Sequence, residues 1–422
     1  MKRVINKKLN NVLCLGLLGA CISADASQIP NHVFSRNSEV NTTVLVDKTS
    51  KAAYLIDIKD NKPRLIRSFD NLLFGENGGD KLQEGDKRTP EGVYRITSFI
   101  PDESLDPIYG SGAFPIDYPN PLDKIEGRNG SGIWLHGRAY DDPDKNTTRG
   151  CVAFNNNEIG ELRKILNQNT PVIITKHAEF VSEPEYNKQR ENLLGTLDQF
   201  INAWESGDSE QLSDLLHPSF KSQSGKGKQA WIQHKQRLND AYPEKHIEAE
   251  NVYIFKEDGH QVVFDFTQYY CARNIISLGQ KQLYFKNENG NLRLVTESFS
   301  KLPSNSYIDE KVSRFLEGWL NAWKKGDINN YLDSYSKTFV DPKGRDFAEW
   351  ERYKGEIFSK RPNQQITIDN ISVRQLANNR YEVSFKQHYN SDEYSDLGKK
   401  TLTLDGCPGA FEIVSENWTA VN

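Results

Sequence analysis

An internal repeat at constant spacing constrains this chain more than any other feature. Asn202-Ala203-Trp204 returns as Asn321-Ala322-Trp323, and Gly207-Asp208 returns as Gly326-Asp327. Phe220 and Trp231 come back as Phe339 and Trp350, and Leu278-Gly279 as Leu397-Gly398. The set Phe266-x-Gln268-x-Tyr270 reappears as Phe385-x-Gln387-x-Tyr389. Each pair lies 119 positions apart without a gap, the signature of two copies of one domain. Each copy opens with an amphipathic helical pattern ending at Gly-Asp, then a second short helix, then alternating strands. The second half is therefore read as two α+β units, at residues 192–302 and 308–422.

That element order, with a helix closing on Trp-x-x-Gly-Asp, resembles the NTF2-like (SnoaL-type) fold. The resemblance implies a cone of helices against a curved sheet, often around a pocket. Trp204, Trp231, Trp323 and Trp350 are then core or pocket-wall residues, because large aromatics dominate such interiors. No His/Asp pair recurs in both copies, and His388 aligns with Tyr269, so the copies read as binding or dimerisation modules rather than as further active sites. NTF2-like sheets often pair face to face, which makes a homodimer through them an expectation.

The chain has 422 residues with 26% charged, enough for several domains, and a mean hydropathy of −0.69. Residues 1–26 read as a signal peptide: Lys2, Arg3, Lys7 and Lys8 precede a short apolar run from Val12 to Ile22. Two processing sites compete. Ala24-Asp25-Ala26 suits simple cleavage before Ser27, the preferred reading. Leu18-Gly19-Ala20-Cys21 resembles a lipobox, which would make Cys21 a lipid anchor. Either way the protein is expected to be exported to the periplasm. Removing four positive charges and one negative takes the net charge from −5 to −8, which argues against a nucleic-acid partner. After simple cleavage Cys151, Cys271 and Cys407 remain, an odd set that flags a free thiol. The sequence leaves a Cys271–Cys407 pairing open, their places in different copies weighing against it.

The chemistry is expected upstream of the repeat. Ile133-Trp134-Leu135 runs into His136-Gly137, a polar loop follows, and Arg149-Gly150-Cys151 leads into a second apolar run. Such a loop can fold back so that His136 and Cys151 face each other from adjacent strand ends. An imidazole that takes the proton of a thiol makes a nucleophile near neutral pH. Gly150 lets the backbone approach a reacting carbonyl, and the Cys151 amide is a natural oxyanion donor.

This stretch resembles the L,D-transpeptidase (YkuD-type) family, in which His-Gly is followed after a loop by Ser/Thr-x-Gly-Cys. Here the pattern reads His136-Gly137, then Thr148-Arg149-Gly150-Cys151. Two upstream segments match the same family: Gly85-Asp86 through Thr89-Pro90-Glu91-Gly92-Val93-Tyr94, which frames the cleft, and Tyr118-Pro119-Asn120 with Gly127-Arg128-Asn129-Gly130. The resemblance covers residues 41–176, a mostly-β catalytic domain; residues 177–191, charged and interrupted at Ser182-Glu183-Pro184, read as a linker or connecting helix. Thr43–Val46 and Ala53–Ile56 read as a hairpin, Glu158–Leu166 as a helix, and Pro171–Thr175 as a closing buried strand.

The resemblance implies Cys151 as nucleophile and His136 as general base and acid, with a backbone carbonyl orienting the imidazole. It places Gly150 and Gly137 in the site through their backbones, and Arg149, Thr148, Tyr118 and Arg128 as substrate-binding residues. Two departures stand out: Arg149 replaces a frequent His, and Ala153 a frequent Arg. The implied substrate is a peptidoglycan stem peptide. Its meso-diaminopimelate carbonyl is attacked, D-alanine leaves, and the acyl group passes to an amine; water as acceptor would give an L,D-carboxypeptidase. No cofactor and no metal are expected, since Asp141, Asp142 and Asp144 read as a solvated loop. A rival reading is an inactive wall- or glycan-binding protein.

Overall fold

The computed structural model describes the chain apart from residues 1–27, 39–41, 143, 259, 274, 361–363, 393 and 422. The signal peptide and the candidate anchor Cys21 lie outside the described residues. No described helix is long and apolar enough to cross a membrane.

Two sheets build the first domain. One orders Lys62–Phe69, Ala52–Lys59, Thr43–Asp47, Pro171–Thr175 and Gly92–Arg95; the other orders Val152–Phe154, Trp134–Gly137, Gly112–Pro115 and Ile100–Pro101. Val44, Val46, Tyr94, Phe114, Leu135, Val152, Phe154, Val172 and Ile174 are fully buried between them. The hairpin is present, with Val44 opposite Leu55, and the closing strand is Pro171–Thr175. The helix after Cys151 starts earlier than expected, at Asn156, because Asn155 and Glu158 form a reciprocal capping box.

The two repeats share one plan. Long helices Glu183–Ser206 and Asn305–Lys325 end at Gly207 and Gly326, both in the left-handed region. The next residues, Asp208 and Asp327, cap the following helix by accepting from Gln211 N and Asn330 N. Gly-Asp thus closes one helix and opens the next, a division of labour that fits each residue's conformational preference. Even the sheet irregularities recur: strand registers shift between Glu250 and Tyr253 and again between Asp369 and Ser372.

Three features complete the plan. Residues 177–191, expected as a linker or connecting helix, hold a short strand, Phe180–Val181, and the first turns of helix Glu183–Ser206, with Pro184 at a helix start where its missing N–H costs nothing. The segment before the catalytic domain supplies Val33–Arg36 as the outer strand of the first repeat's sheet, pairing Ile254 with Phe34. Finally, Cys271 and Cys407 form a disulfide that joins the two repeats. Tyr269, Leu278 and Tyr307 pack around it, and Asn379 Nδ2 donates to Ala272 O across the same junction at 2.8 Å.

The outer faces of the two repeat sheets differ. In the first, Phe255, Val263, Tyr284 and Val295 pack against Leu45, Ile56, Val93 and Ile173 of the catalytic domain. The equivalents of Phe255, Val263 and Tyr284, 119 positions on, are Arg374, Glu382 and Thr403, and Arg374 pairs with Glu382 at 2.9 Å. Dimerisation through the first repeat's outer face would have to displace the catalytic domain.

Candidate active site

His136 lies on the strand Trp134–Gly137, and Cys151 immediately precedes the parallel neighbouring strand Val152–Phe154. Ala153 registers with His136 and Val152 with Leu135. Side chains alternate along a strand, so Cys151, two residues before Ala153, faces the same side as His136. The His136 Nδ1 lies 2.6 Å from the carbonyl oxygen of Gly137. A carbonyl only accepts, so Nδ1 carries the proton and Nε2 is left as the base. Burial pushes the imidazole down to about 4, with the Gly137 carbonyl opposing that shift. Burial likewise pushes the Cys151 thiol up to about 11, against the Trp134 amide and the charge of Lys81. The resting pair is therefore neutral imidazole and thiol. The thiol donates to Gly132 O at 3.4 Å.

The loop into Cys151 is braced from within. Thr148 Oγ1 donates to Cys151 O at 2.7 Å and accepts from Gly150 N at 3.0 Å. Thr148 is buried and shapes the loop before Cys151, and the Gly150 amide is already engaged by it. Gly150 has φ of 134°, and a Cβ there would come within 2.8 Å of Arg88 O, so the backbone just before Thr89-Pro90 runs against the residue preceding Cys151. Arg149 is exposed beside Cys151.

The structure takes two expected substrate contacts elsewhere. Arg128 is committed to carboxylates, paired with Asp80 and with Glu126 at 3.1 Å, and 3.7 Å from Asp123. Tyr118 is buried in the core, its hydroxyl donating to Asn129 O at 3.3 Å and its ring edge-on to Tyr94. Both hold the loops behind the cleft together.

Two residues near the site carried no clear sequence signal. Tyr109 sets its ring edge-on to His136, centroids 5.2 Å apart, and lies 4.6 Å from the Trp134 ring. Asn156 accepts from Ser111 N at 3.0 Å and donates to Arg138 O at 3.1 Å, tying the loop that carries Tyr109 to the strand end at His136. A Cβ on Gly137 would fall 2.1 Å from Asn156 Oδ1, which explains the glycine after the histidine.

Residues 41–174 match the family described as the L,D-transpeptidase catalytic domain, YkuD. Residues 192–298 and 311–417 each match the Cds6 C-terminal NTF2-like domain. The chain belongs to the YkuD-type L,D-transpeptidases with tandem Cds6-type NTF2-like domains. Enzymes of this family act on the peptides of peptidoglycan. Among solved structures, Bd1075 of Bdellovibrio bacteriovorus is 25% identical with a TM-score of 0.60, covering 66% of this chain and 100% of that one. The helical cell shape determining protein Pgp2 of Campylobacter jejuni is 26% identical with a TM-score of 0.54, covering 64% of this chain and 95% of that one. No curated protein matches. An L,D-transpeptidase-family domain on tandem NTF2-like repeats agrees with the α+β multidomain class read from the sequence.

Proposed function

We propose that this L,D-transpeptidase-family protein is an exported enzyme that transfers wall stem-peptide acyl groups through a thioester on Cys151. The observation that carries the reading is a buried thiol sharing a sheet face with an imidazole whose Nδ1 is fixed on Gly137 O. Nε2 of His136 takes the thiol proton as sulfur attacks the meso-diaminopimelate carbonyl, so no standing ion pair is needed. The Cys151 amide serves the developing oxyanion, since the Gly150 amide is held by Thr148. D-Alanine leaves with the proton from the imidazolium, and an amine acceptor attacks the thioester. Arg149, exposed beside Cys151, meets a substrate carboxylate in this reading. The Cys271–Cys407 disulfide supports an oxidising compartment outside the cytoplasm.

Water as the acceptor is the second reading. The likeness to a cell shape determining protein favours it, since removing donors for cross-links changes a wall as surely as adding cross-links. Incubation with purified tetrapeptide muropeptides, with products weighed by mass spectrometry, tests both. Cross-linked dimer identifies the transferase and tripeptide alone the hydrolase. Unchanged tetrapeptide overturns the catalytic reading.

A further inference from the structure

The two repeats differ at one sheet edge. In the first, strand Lys245–Lys256 is covered by Val33–Arg36, which runs antiparallel to it with Phe34 opposite Ile254 and Arg36 opposite Val252. The Lys256 amide donates to His32 O at 2.9 Å, so by alternation the amides of Val252 and Ile254 face the same added strand. In the second repeat the equivalent strand, Gln365–Ala377, pairs on one side only, with Arg380–Asn390. No described strand pairs with its other side.

That open edge is built like the occupied one. Residues 119 positions apart carry the same register shift, between Glu250 and Tyr253 and between Asp369 and Ser372, and the same left-handed asparagine, Asn251 and Asn370. Val252 pairs with Arg36 directly beside that bulge, so the bulge does not block an added strand. Ile371, Val373 and Gln375 stand where Val252, Ile254 and Lys256 stand, with their N–H and C=O groups turned outward. Burial differs as a missing neighbour requires. Val252 and Ile254 are fully buried with Phe34, whereas Ile371 is 44% exposed and Val373 only partly buried. The strand is 13 residues long and holds no proline or lysine, residues that ordinarily guard an edge against pairing.

The helix beside the edge indicates what fits. In the first repeat Arg36 pairs with Asp198 at 2.7 Å, and Arg190 donates to Ser35 O. Their equivalents on helix Asn305–Lys325 are Glu317 and Asp309, both exposed and without an ion pair among the described residues. The acid at the Asp198 position is kept, and the arginine has become a second acid.

We propose that the open edge at Ile371–Gln375 takes up an extended segment of a partner protein by antiparallel strand addition. An apolar residue of that segment lies opposite Val373 and beside Ile371, as Phe34 lies opposite Ile254. Two positions on, an arginine or lysine lies opposite Ile371 and pairs with Glu317, and Asp309 adds to the preference for a basic segment. This edge shares no residue with the Cys151 site.

The probe is a fluorescein-labelled peptide of the chain's own residues 31–37, Asn-His-Val-Phe-Ser-Arg-Asn, the sequence that fills the first repeat's edge. Anisotropy with the intact chain should show saturable one-site binding, and peptides with Phe34→Ala or Arg36→Glu should bind at least fivefold more weakly. In the protein, Gln375→Pro removes an outward N–H at an exposed position and sets a ring on the edge, and should weaken the peptide at least tenfold. Glu317→Lys should weaken the parent peptide several-fold and bring the Arg36→Glu peptide to within twofold of the original pair, an exchange that a merely structural residue would not give. Circular dichroism melts check folding, and Ile371→Lys takes over should Gln375→Pro fail to fold. No saturable binding overturns the proposal, as does binding unchanged in both Gln375→Pro and Glu317→Lys, which would mean exchange with Val33–Arg36 in the first repeat. Sedimentation should give the same mass for parent and Gln375→Pro. A dimer that Gln375→Pro dissolves would give the edge to a second copy of the chain and overturn the assignment to a partner.

Discussion

The Nδ1 of His136 rests 2.6 Å from the carbonyl oxygen of Gly137, its own neighbour in sequence. One short contact decides the tautomer and so which nitrogen can act on Cys151. The imidazole's pKa is lowered to about 4, so its neutral form is favoured and it is a competent base above that pH. Turnover of tetrapeptide should therefore rise through about pH 4 and stay level to neutrality, rather than rising near the ordinary histidine value. The two groups titrate as a pair, and the profile reports them jointly. Cys151→Ser and His136→Ala should each lose at least roughly 1,000-fold in turnover while melting normally. A limb centred at the ordinary histidine value would count against a buried neutral imidazole.

Because burial raises the Cys151 thiol to about 11, its reaction with iodoacetamide at pH 7 should be slow. The rate should climb about tenfold per pH unit until near that value, as thiolate is the reacting form. Cys271 and Cys407 should not be labelled until reduced, because they are bonded to each other. In a chain beginning at Ser27, thiol titration in denaturant should count one sulfhydryl before reduction and three after it. Three before reduction would refute the bridge. Closing a span with a sequence separation of 136 restricts the unfolded chain, so Cys407→Ser should destabilise the junction of the repeats by about 4–5 kcal/mol at most.

Local signals were the legible ones. Gly207-Asp208 and Gly326-Asp327 could be read because helix closure and capping depend on neighbours within four residues. His136 and Cys151 could be paired because one loop separates parallel strands. What the sequence hid is set at long range. Val33–Arg36 is four residues long, and its partner strand begins at Lys245. The Cys271–Cys407 bond depends on how two copies pack, which the pattern inside either copy does not encode. The Ser-Glu-Pro break at 182–184 was ambiguous because the same tripeptide that interrupts a helix also begins one.

Glu257 makes the seam between the catalytic domain and the first repeat sensitive to pH. It is 3% exposed on a cavity of about 280 Å³ that Asp80, Glu91, Asp123, Arg128, His260 and Lys286 also line. Burial first, then the charges of Glu91, Asp258 and Asp80, push its carboxyl up to about 7; the His260 amide opposes the shift. A carboxyl raised in the fold is protonated there while the unfolded chain has already ionised. Its contribution is fully present below the unfolded value, near 4.5, and is lost as pH rises to about 7. A shift of that size corresponds to roughly 3 kcal/mol. Glu257→Gln should flatten the stability profile between those two values and stabilise the protein at pH 8. Chemical denaturation at pH 5 and pH 8 measures it, and parallel profiles for variant and parent would refute the assignment.

Phe34 shows that the catalytic domain is threaded through the first repeat rather than hung from it. The residue precedes the catalytic domain in sequence, yet it is fully buried in the first repeat's core. Its ring stacks on Tyr186 with centroids 5.0 Å apart, and the Tyr186 hydroxyl donates to Val33 O at 3.2 Å. Arg190 Nε also donates to Ser35 O, at 2.8 Å, so the long helix grips the strand at two points. Truncating a fully buried phenylalanine removes its transfer energy and leaves a cavity, together about 3–5 kcal/mol. Phe34→Ala should therefore destabilise the first repeat by that amount. Amide exchange should quicken first along Lys245–Lys256, the strand that Val33–Arg36 covers. If protection is lost instead within Thr43–Asp47 and Pro171–Thr175 while Lys245–Lys256 stays protected, the segment belongs to the catalytic domain alone and the threaded architecture is wrong.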